Sequence, residues 1–153
     1  MIRRYQPHDL PFLLQLFDQA IDFHHAIRPN AFQASNRRAQ TFLRDMLKKP
    51  HVLCLVKEVG GVIQAYLLAS LRPVQDHPII PEQIMIQLEE IYVVPEARRQ
   101  GIATELMEAL HREADILEAD IIELMVWEGN DEAMAFYKSL GYTLRASILE
   151  KIR

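Results

Sequence analysis

Apolar residues recur along this chain at two different periods, and the changes of period mark out its elements. Leu10, Leu13, Leu14, Phe17 and Ile21 lie three or four positions apart, the spacing of one helix face. A first helix is therefore expected after an N-capping Asp9, with Pro11 in its first turn, running to about His25. Arg28-Pro29-Asn30 interrupts it. Ser35 is expected to cap a second helix with the stripe Phe42, Leu43, Met46 and Leu47, ended by Pro50. Ile2 to Tyr5 reads as a short opening strand. The period then shortens. His51 to Val59 and Val62 to Leu71, joined by Gly60-Gly61, read as a β-hairpin. A proline-punctuated loop over Gln75 to Pro81 precedes a longer strand from Ile84 to Val94. Pro95 to Gln100 is expected as a loop, and Gly101 to Leu117 as an amphipathic helix. Ile121 to Val126 is an almost unbroken apolar run, the pattern of a strand buried on both faces. Asn130 or Asp131 caps a helix to Leu140, with Gly141 in the C′ position. Tyr142 to Ile152 is expected to supply one or two closing strands. The order implies an α/β (α+β) fold with a mixed, largely antiparallel sheet flanked by helices, in one domain over residues 1–153.

Composition narrows the function classes. The chain has 153 residues, half of them hydrophobic and a quarter charged, an ordinary soluble globular balance. A formal net charge of −4 lacks the basic footprint of a nucleic-acid binder. No apolar stretch approaches the roughly 18 residues of a spanning helix, and no signal-peptide pattern follows Arg3-Arg4. No membrane partner is expected, and a cytoplasmic location is. The single cysteine, Cys54, cannot form an internal disulfide and suits a reducing compartment. In an apolar strand it reads as a small buried hydrophobe. The six histidines show no ligand spacing, and no metal is expected.

One loop carries recognisable chemistry. Arg98-Arg99-Gln100-Gly101-Ile102-Ala103 falls between a strand end and a helix start, where backbone N–H groups lack intrahelical partners and the helix dipole adds positive character. Such a terminus takes phosphate oxygens readily. Gly101 lets the backbone curve, Ala103 keeps the wall low, and Arg98 and Arg99 add charge outside. Neither a Walker loop nor a GxGxxG fingerprint is present. By itself the loop supports an anion site and equally a solvated arginine pair.

The same stretch resembles motif A of the GCN5-related N-acetyltransferases, Q/R-x-x-G-x-G/A, through Arg98, Gly101 and Ala103. Leu88 to Glu96 before it is also similar to that family. So is Asn130-Asp131-Glu132-Ala133-Met134-Ala135-Phe136-Tyr137-Lys138-Ser139-Leu140-Gly141-Tyr142, which resembles N-x-x-A-x-x-F-Y-x-x-x-G-F. The departures are Ala103 for the commoner glycine and Tyr142 for phenylalanine. The element order is similar over essentially the whole chain.

The resemblance implies that acetyl-CoA is the acyl donor, its pyrophosphate on the amides of Arg99, Gln100, Gly101, Ile102, Ala103 and Thr104. It implies that the pantetheine arm pairs with backbone groups of Ile91 and Val93, the Val93 N–H facing the thioester carbonyl, and that Asn130 contacts the arm from the other side. It implies Tyr137 as proton donor to the departing sulfur, although the stripe Ala133, Phe136, Tyr137, Leu140 alone reads as core. A base is needed to free an amine for attack. Glu89 is favoured by the resemblance with Glu90 as the alternative, and the period-2 rule places the two on opposite faces. The acceptor is expected to be a primary amine of a small molecule or peptide, attacking directly in a ternary complex. The segments that form the family's acceptor pocket offer His24, His25, Arg28, Tyr66, Trp127 and the loop Asp76 to Pro81. Homodimers are common in the family, so a second copy is a further expected partner. A CoA-binding module without turnover is the alternative function.

Overall fold

The computed structural model describes residues 1–153. Ile2–Arg4 (β1), Val52–Val59 (β2), Val62–Val74 (β3), Gln83–Val93 (β4) and Ile121–Glu123 (β5) make one sheet in the order β1-β2-β3-β4-β5. The first three pairings are antiparallel and β4 with β5 is parallel. The helices are Leu10–Ile27 (α1), Arg37–Leu47 (α2), Ile102–Ile116 (α3) and Asp131–Ser139 (α4). The expected mixed α/β architecture is present. The α-helical and strand periods in the sequence each bury one stripe, and the sheet receives both. On one face Leu55, Leu67, Ile86 and Leu88 pack beneath Leu106, Met107 and Leu110 of α3. On the other, Cys54, Val56, Tyr66 and Leu68 pack beneath Leu13, Phe17 and Ala20 of α1 and Leu43 of α2. Sandwiching the sheet removes most of β3 from water, which is why its middle tolerates no polar residue but Ser70.

Several local expectations are corrected. Asp9 does not cap α1 with its side chain. Its carboxylate accepts two bonds from the Arg3 guanidinium, at 2.7 and 2.8 Å, and one from the Gln6 N–H at 2.8 Å. A 3-10 turn over Pro7–Asp9 leads into the helix instead. The Arg3 contact holds the Asp9 carboxyl below its ordinary range. Unfolded Asp9 therefore binds protons first as pH falls, so its stabilisation is present at neutral pH and lost as pH drops through the acid range. Asp9→Asn is expected to cost about 3 kcal/mol at pH 7, because Arg3 would keep only Glu58 as a carboxylate partner. Denaturant titrations at pH 7 and pH 3 test this, since the deficit should shrink at the lower pH.

Asn36, not Ser35, caps α2, accepting from the Ala39 N–H at 3.0 Å. Ser35 instead hydrogen-bonds Asp18 and Asp22 of α1. β3 runs three residues past its expected end, while β5 stops at Glu123 rather than reaching Val126. β5 is only half-buried, because its outer edge has no strand beside it. The closing strands are absent: residues from Tyr142 onward pair with no strand of the chain.

Candidate active site

The site lies where β4 and β5 part. Their pairing is confined to Met85↔Ile121, Ile86↔Ile122 and Gln87↔Glu123, so the later half of β4 has no neighbour on that side. The Val94 N–H bonds the Gln64 carbonyl on the β3 side at 2.9 Å. Peptide groups alternate direction along a strand, so those of Ile91 and Val93 face the opening. The Val93 carbonyl accepts a 3.0 Å bond from Arg98 Nε. Arg98 therefore folds back over the strand end, with its guanidinium over the rings of Tyr92 and Phe23.

At the mouth of the opening stands the start of α3. The Ala97 and Arg98 N–H groups close a 3-10 turn onto Val94 and Pro95, and the first helical bond is Glu105 N–H to Gly101 at 3.0 Å. Between them, from Arg99 to Thr104, no backbone N–H finds a backbone acceptor. Arg99 and Gly101 both take positive φ, +60° and +79°. Alternating handedness of this kind turns successive N–H groups into one concavity, an anion-binding nest. A Cβ built at Gly101 would meet nothing within 4 Å, so no other part of the chain crowds this residue. The strained φ of Arg99 is a feature that the sequence does not signal.

On the far side, Asn130 caps α4, its Oδ1 accepting from the Ala133 N–H at 3.2 Å. The amide nitrogen of Asn130 is left for another partner. Tyr137 is 8% exposed and packs in the α3-side core. Burial, then the nearby Tyr142, pushes its hydroxyl up to about 12. Tyr142 bonds His111 Nε2 at 2.9 Å, whereas the Tyr137 hydroxyl finds no partner in the chain.

The glutamates depart from expectation. β3 and β4 slip register between Leu68↔Glu90 and Ala69↔Leu88, leaving Glu89 as a bulge. A bulge breaks the period-2 alternation, and both carboxylates end on the α1/α2 face. Glu89 bonds Arg72 at 2.8 Å, lining a cleft of about 370 Å³ with Asp45 and Met46 of α2. Glu90 bonds His24 Nε2 of α1 at 3.2 Å, with its side chain only 12% exposed. Beside it, the Tyr66 hydroxyl is buried without a hydrogen bond. Burial, then the Glu90 charge, holds that phenol well above its ordinary range.

Of the acceptor candidates, His24, Arg28, Tyr66 and Trp127 come together. His24 stacks on Phe32 at 5.0 Å, Phe32 meets Trp127 edge-on at 5.3 Å, and Arg28 lies over Trp127 at 5.1 Å. Phe32 and Phe23 escaped the sequence reading, because neither lies in a motif or on a regular stripe. His25 instead bonds the Phe32 carbonyl, and the loop Asp76 to Pro81 is held by His77 Nδ1 accepting from the N–H groups of Ile79 and Ile80. Cys54 is buried, and that burial raises its thiol to about 12, so it is no thiolate at neutral pH. No helix is long and apolar enough to cross a membrane.

The sheet edge that opens between β4 and β5 beside a run of unpartnered amides is the arrangement that the sequence resemblance implies. Residues 17–142 match the acetyltransferase (GNAT) family. The chain belongs to that family. Among solved structures, a mutant of the BH1408 protein from Bacillus halodurans is 24% identical with TM-score 0.91, over 100% of this chain and 99% of that one. An acetyltransferase from Vibrio fischeri is 25% identical with TM-score 0.66, over 81% of this chain and 95% of that one. AAC(6')-Iy in complex with a bisubstrate analog, CoA-S-monomethyl-acetylneamine, is 18% identical with TM-score 0.75, over 100% and 97%.

Proposed function

We propose that this protein transfers the acetyl group of acetyl-CoA to a primary amine of a small molecule or peptide. The observation that carries the reading is the run of unpartnered amides from Arg99 to Thr104 below the open edge of β4. A pyrophosphate fits this donor set: it offers several anionic oxygens to several N–H groups whose only other partner is water. Acetyl-CoA supplies the activated acyl group. The Ile91 and Val93 peptide groups orient the arm that carries it, the Asn130 amide braces the other side, and the Val93 N–H faces the acyl carbonyl. One donor aimed at developing negative charge is worth roughly 3 kcal/mol. The Tyr137 hydroxyl, protonated throughout the neutral range, donates to the departing sulfur.

For the base, the geometry supports Glu90 over Glu89. An alkyl ammonium with a pKa near 10.4 must lose a proton before it attacks. Glu90 is the inward carboxylate, and His24 stands between it and the aromatic mouth, placed to pass that proton inward. Glu89 is neutralised by Arg72. Glu90→Gln should lower turnover about 100-fold at pH 7, and the deficit should close toward pH 10, where the amine deprotonates unaided. Glu89→Gln should leave turnover within about twofold. An equal loss in both variants, or a loss independent of pH, removes Glu90 from this role.

The deciding assay is free-thiol release from acetyl-CoA over polyamines, amino acids, aminoglycosides and peptide N-termini. Release with at least one acceptor class is expected. Tight acetyl-CoA binding with no release from any class would favour a binding module instead.

A further inference from the structure

The rings at the mouth of the cleft run in a row that ends on each side in a guanidinium. Phe23 meets His24 edge-on at 5.9 Å, His24 stacks on Phe32, and Phe32 meets Trp127. Arg98 lies 5.8 Å from the centre of the Phe23 ring at one end, and Arg28 covers Trp127 at the other. Arg3, Arg4, Arg72, Arg99 and Arg145 each hold a carboxylate. Arg28 and Arg98 hydrogen-bond only backbone carbonyls, those of Glu128 and Val93. A guanidinium carries five N–H donors in one plane. Arg28 spends one on Glu128 and has no protein partner for the rest. Its place over Trp127 restrains the group, and a restrained fork with free donors suits bidentate binding of a carboxylate.

We propose that the acceptor is a small aminocarboxylic acid, its amine taken up at Glu90 and His24 and its carboxylate held by Arg28. The proposal rests on acetyl transfer to a primary amine and narrows it. Two signs of charge meet in one cleft. Glu90 is the inner carboxylate, bonded to His24, and the uncompensated cations stand at the rim. An acceptor with an ammonium at one end and a carboxylate at the other satisfies both. A polyamine or aminoglycoside satisfies only the inner group and sets its remaining ammonium groups against the two guanidiniums. The net charge of −4 draws cations toward the molecule as a whole. With a Debye length of about 8 Å in physiological salt, however, the groups within the mouth decide what stays there. Spacing sets the size. The Arg28 N–H closes the last turn of α1 on the His24 carbonyl, and side chains one turn apart start roughly 6 Å from each other at Cβ. An amine and a carboxylate separated by a few bonds span that distance, whereas the terminal carboxylate of a long peptide lies far beyond it.

Thiol release from acetyl-CoA tests this over matched sets: α- and ω-amino acids, their primary amides, the parent alkylamines and the corresponding diamines. The preferred amino acid should exceed its amide in kcat/KM by about 30-fold, the worth of a charge-assisted pair. Arg28→Gln should bring that ratio close to unity, and Arg28→Lys, which keeps the charge without the fork, should reduce it less. Trp127 is the only tryptophan, so its emission reports occupancy beside Arg28 independently of turnover. It should saturate at about 30-fold lower concentration of the amino acid than of its amide. Equal rates with amino acids and amides, a preference for diamines, or a carboxylate preference that survives Arg28→Gln would each overturn the proposal and leave acetyl transfer in place. Thiol release from no amine, with Trp127 emission still titrated by the amino acid through Arg28, would overturn acetyl transfer and keep the carboxylate site. Neither release nor an emission change would overturn both.

Discussion

Gly101→Glu should abolish acetyl-CoA binding, with a loss of more than about 100-fold in affinity by calorimetric titration. A side chain at this position points into open space, so the fold itself meets no clash. A glutamate at 101 instead brings its carboxylate within reach of the Arg99–Thr104 amides, which lack backbone acceptors. There it competes for the N–H groups and repels the incoming phosphates. Two like charges about 5 Å apart at an effective dielectric near 20 cost roughly 3 kcal/mol, and each 1.4 kcal/mol is about tenfold in affinity. The positive φ of +79° adds a separate cost of about 1 kcal/mol in stability for any side chain. Gly101→Ala isolates that cost: it should lower the unfolding free energy by that amount while keeping acetyl-CoA affinity within about tenfold. If Gly101→Glu binds as tightly as Gly101→Ala, the phosphates lie elsewhere.

Tyr137→Phe separates chemistry from packing at a position where the two coincide. The ring fills the α3-side core beside Phe136 and Tyr142, and phenylalanine keeps that volume. The hydroxyl has no partner within the chain, so its removal leaves no orphaned group behind. Stability and acetyl-CoA affinity should therefore stay near the wild-type values while kcat falls about 100-fold, a usual worth for a positioned proton donor. With the phenol raised to about 12, the wild-type rate should show no loss from Tyr137 ionisation below about pH 11. Unchanged kcat in the variant would return Tyr137 to the core alone.

Sequence and structure agree most closely where a feature is set by the backbone of one continuous stretch. The Arg98–Thr104 loop, the Asn130 cap and the Gly141 turn are each set by local residues, so their place at helix ends could be read directly. The glutamates show the opposite case. Glu89 and Glu90 are adjacent, and alternation sends adjacent strand residues to opposite faces. Only the pairing of β4 with β3 creates the bulge that puts them on one face, and only the packing of α1 gives Glu90 its histidine. Phe32 joins the cleft for a similar reason: the chain between α1 and α2 returns it to His24 and Trp127, contacts 8 and 95 residues away in sequence.

The C-terminal segment marks the boundary between the two kinds of information. Leu144, Ala146 and Ile148 at alternate positions raise the expectation of a closing strand, because side-chain period is a local property, but the folded chain forms none there. Whether such a stretch finds an edge to pair with is not local. It depends on where β5 ends and where the turn after α4 points, and in the folded chain neither brings residues 143–153 onto an edge of their own molecule. So it is for the site as a whole. The sequence by itself determined the helix-start amide loop and the residue types around it, because those follow from caps, glycine and spacing. The tertiary structure alone decided which carboxylate meets a histidine, which aromatic rings close the mouth and which edge stays open, because those are distances between segments far apart in the chain.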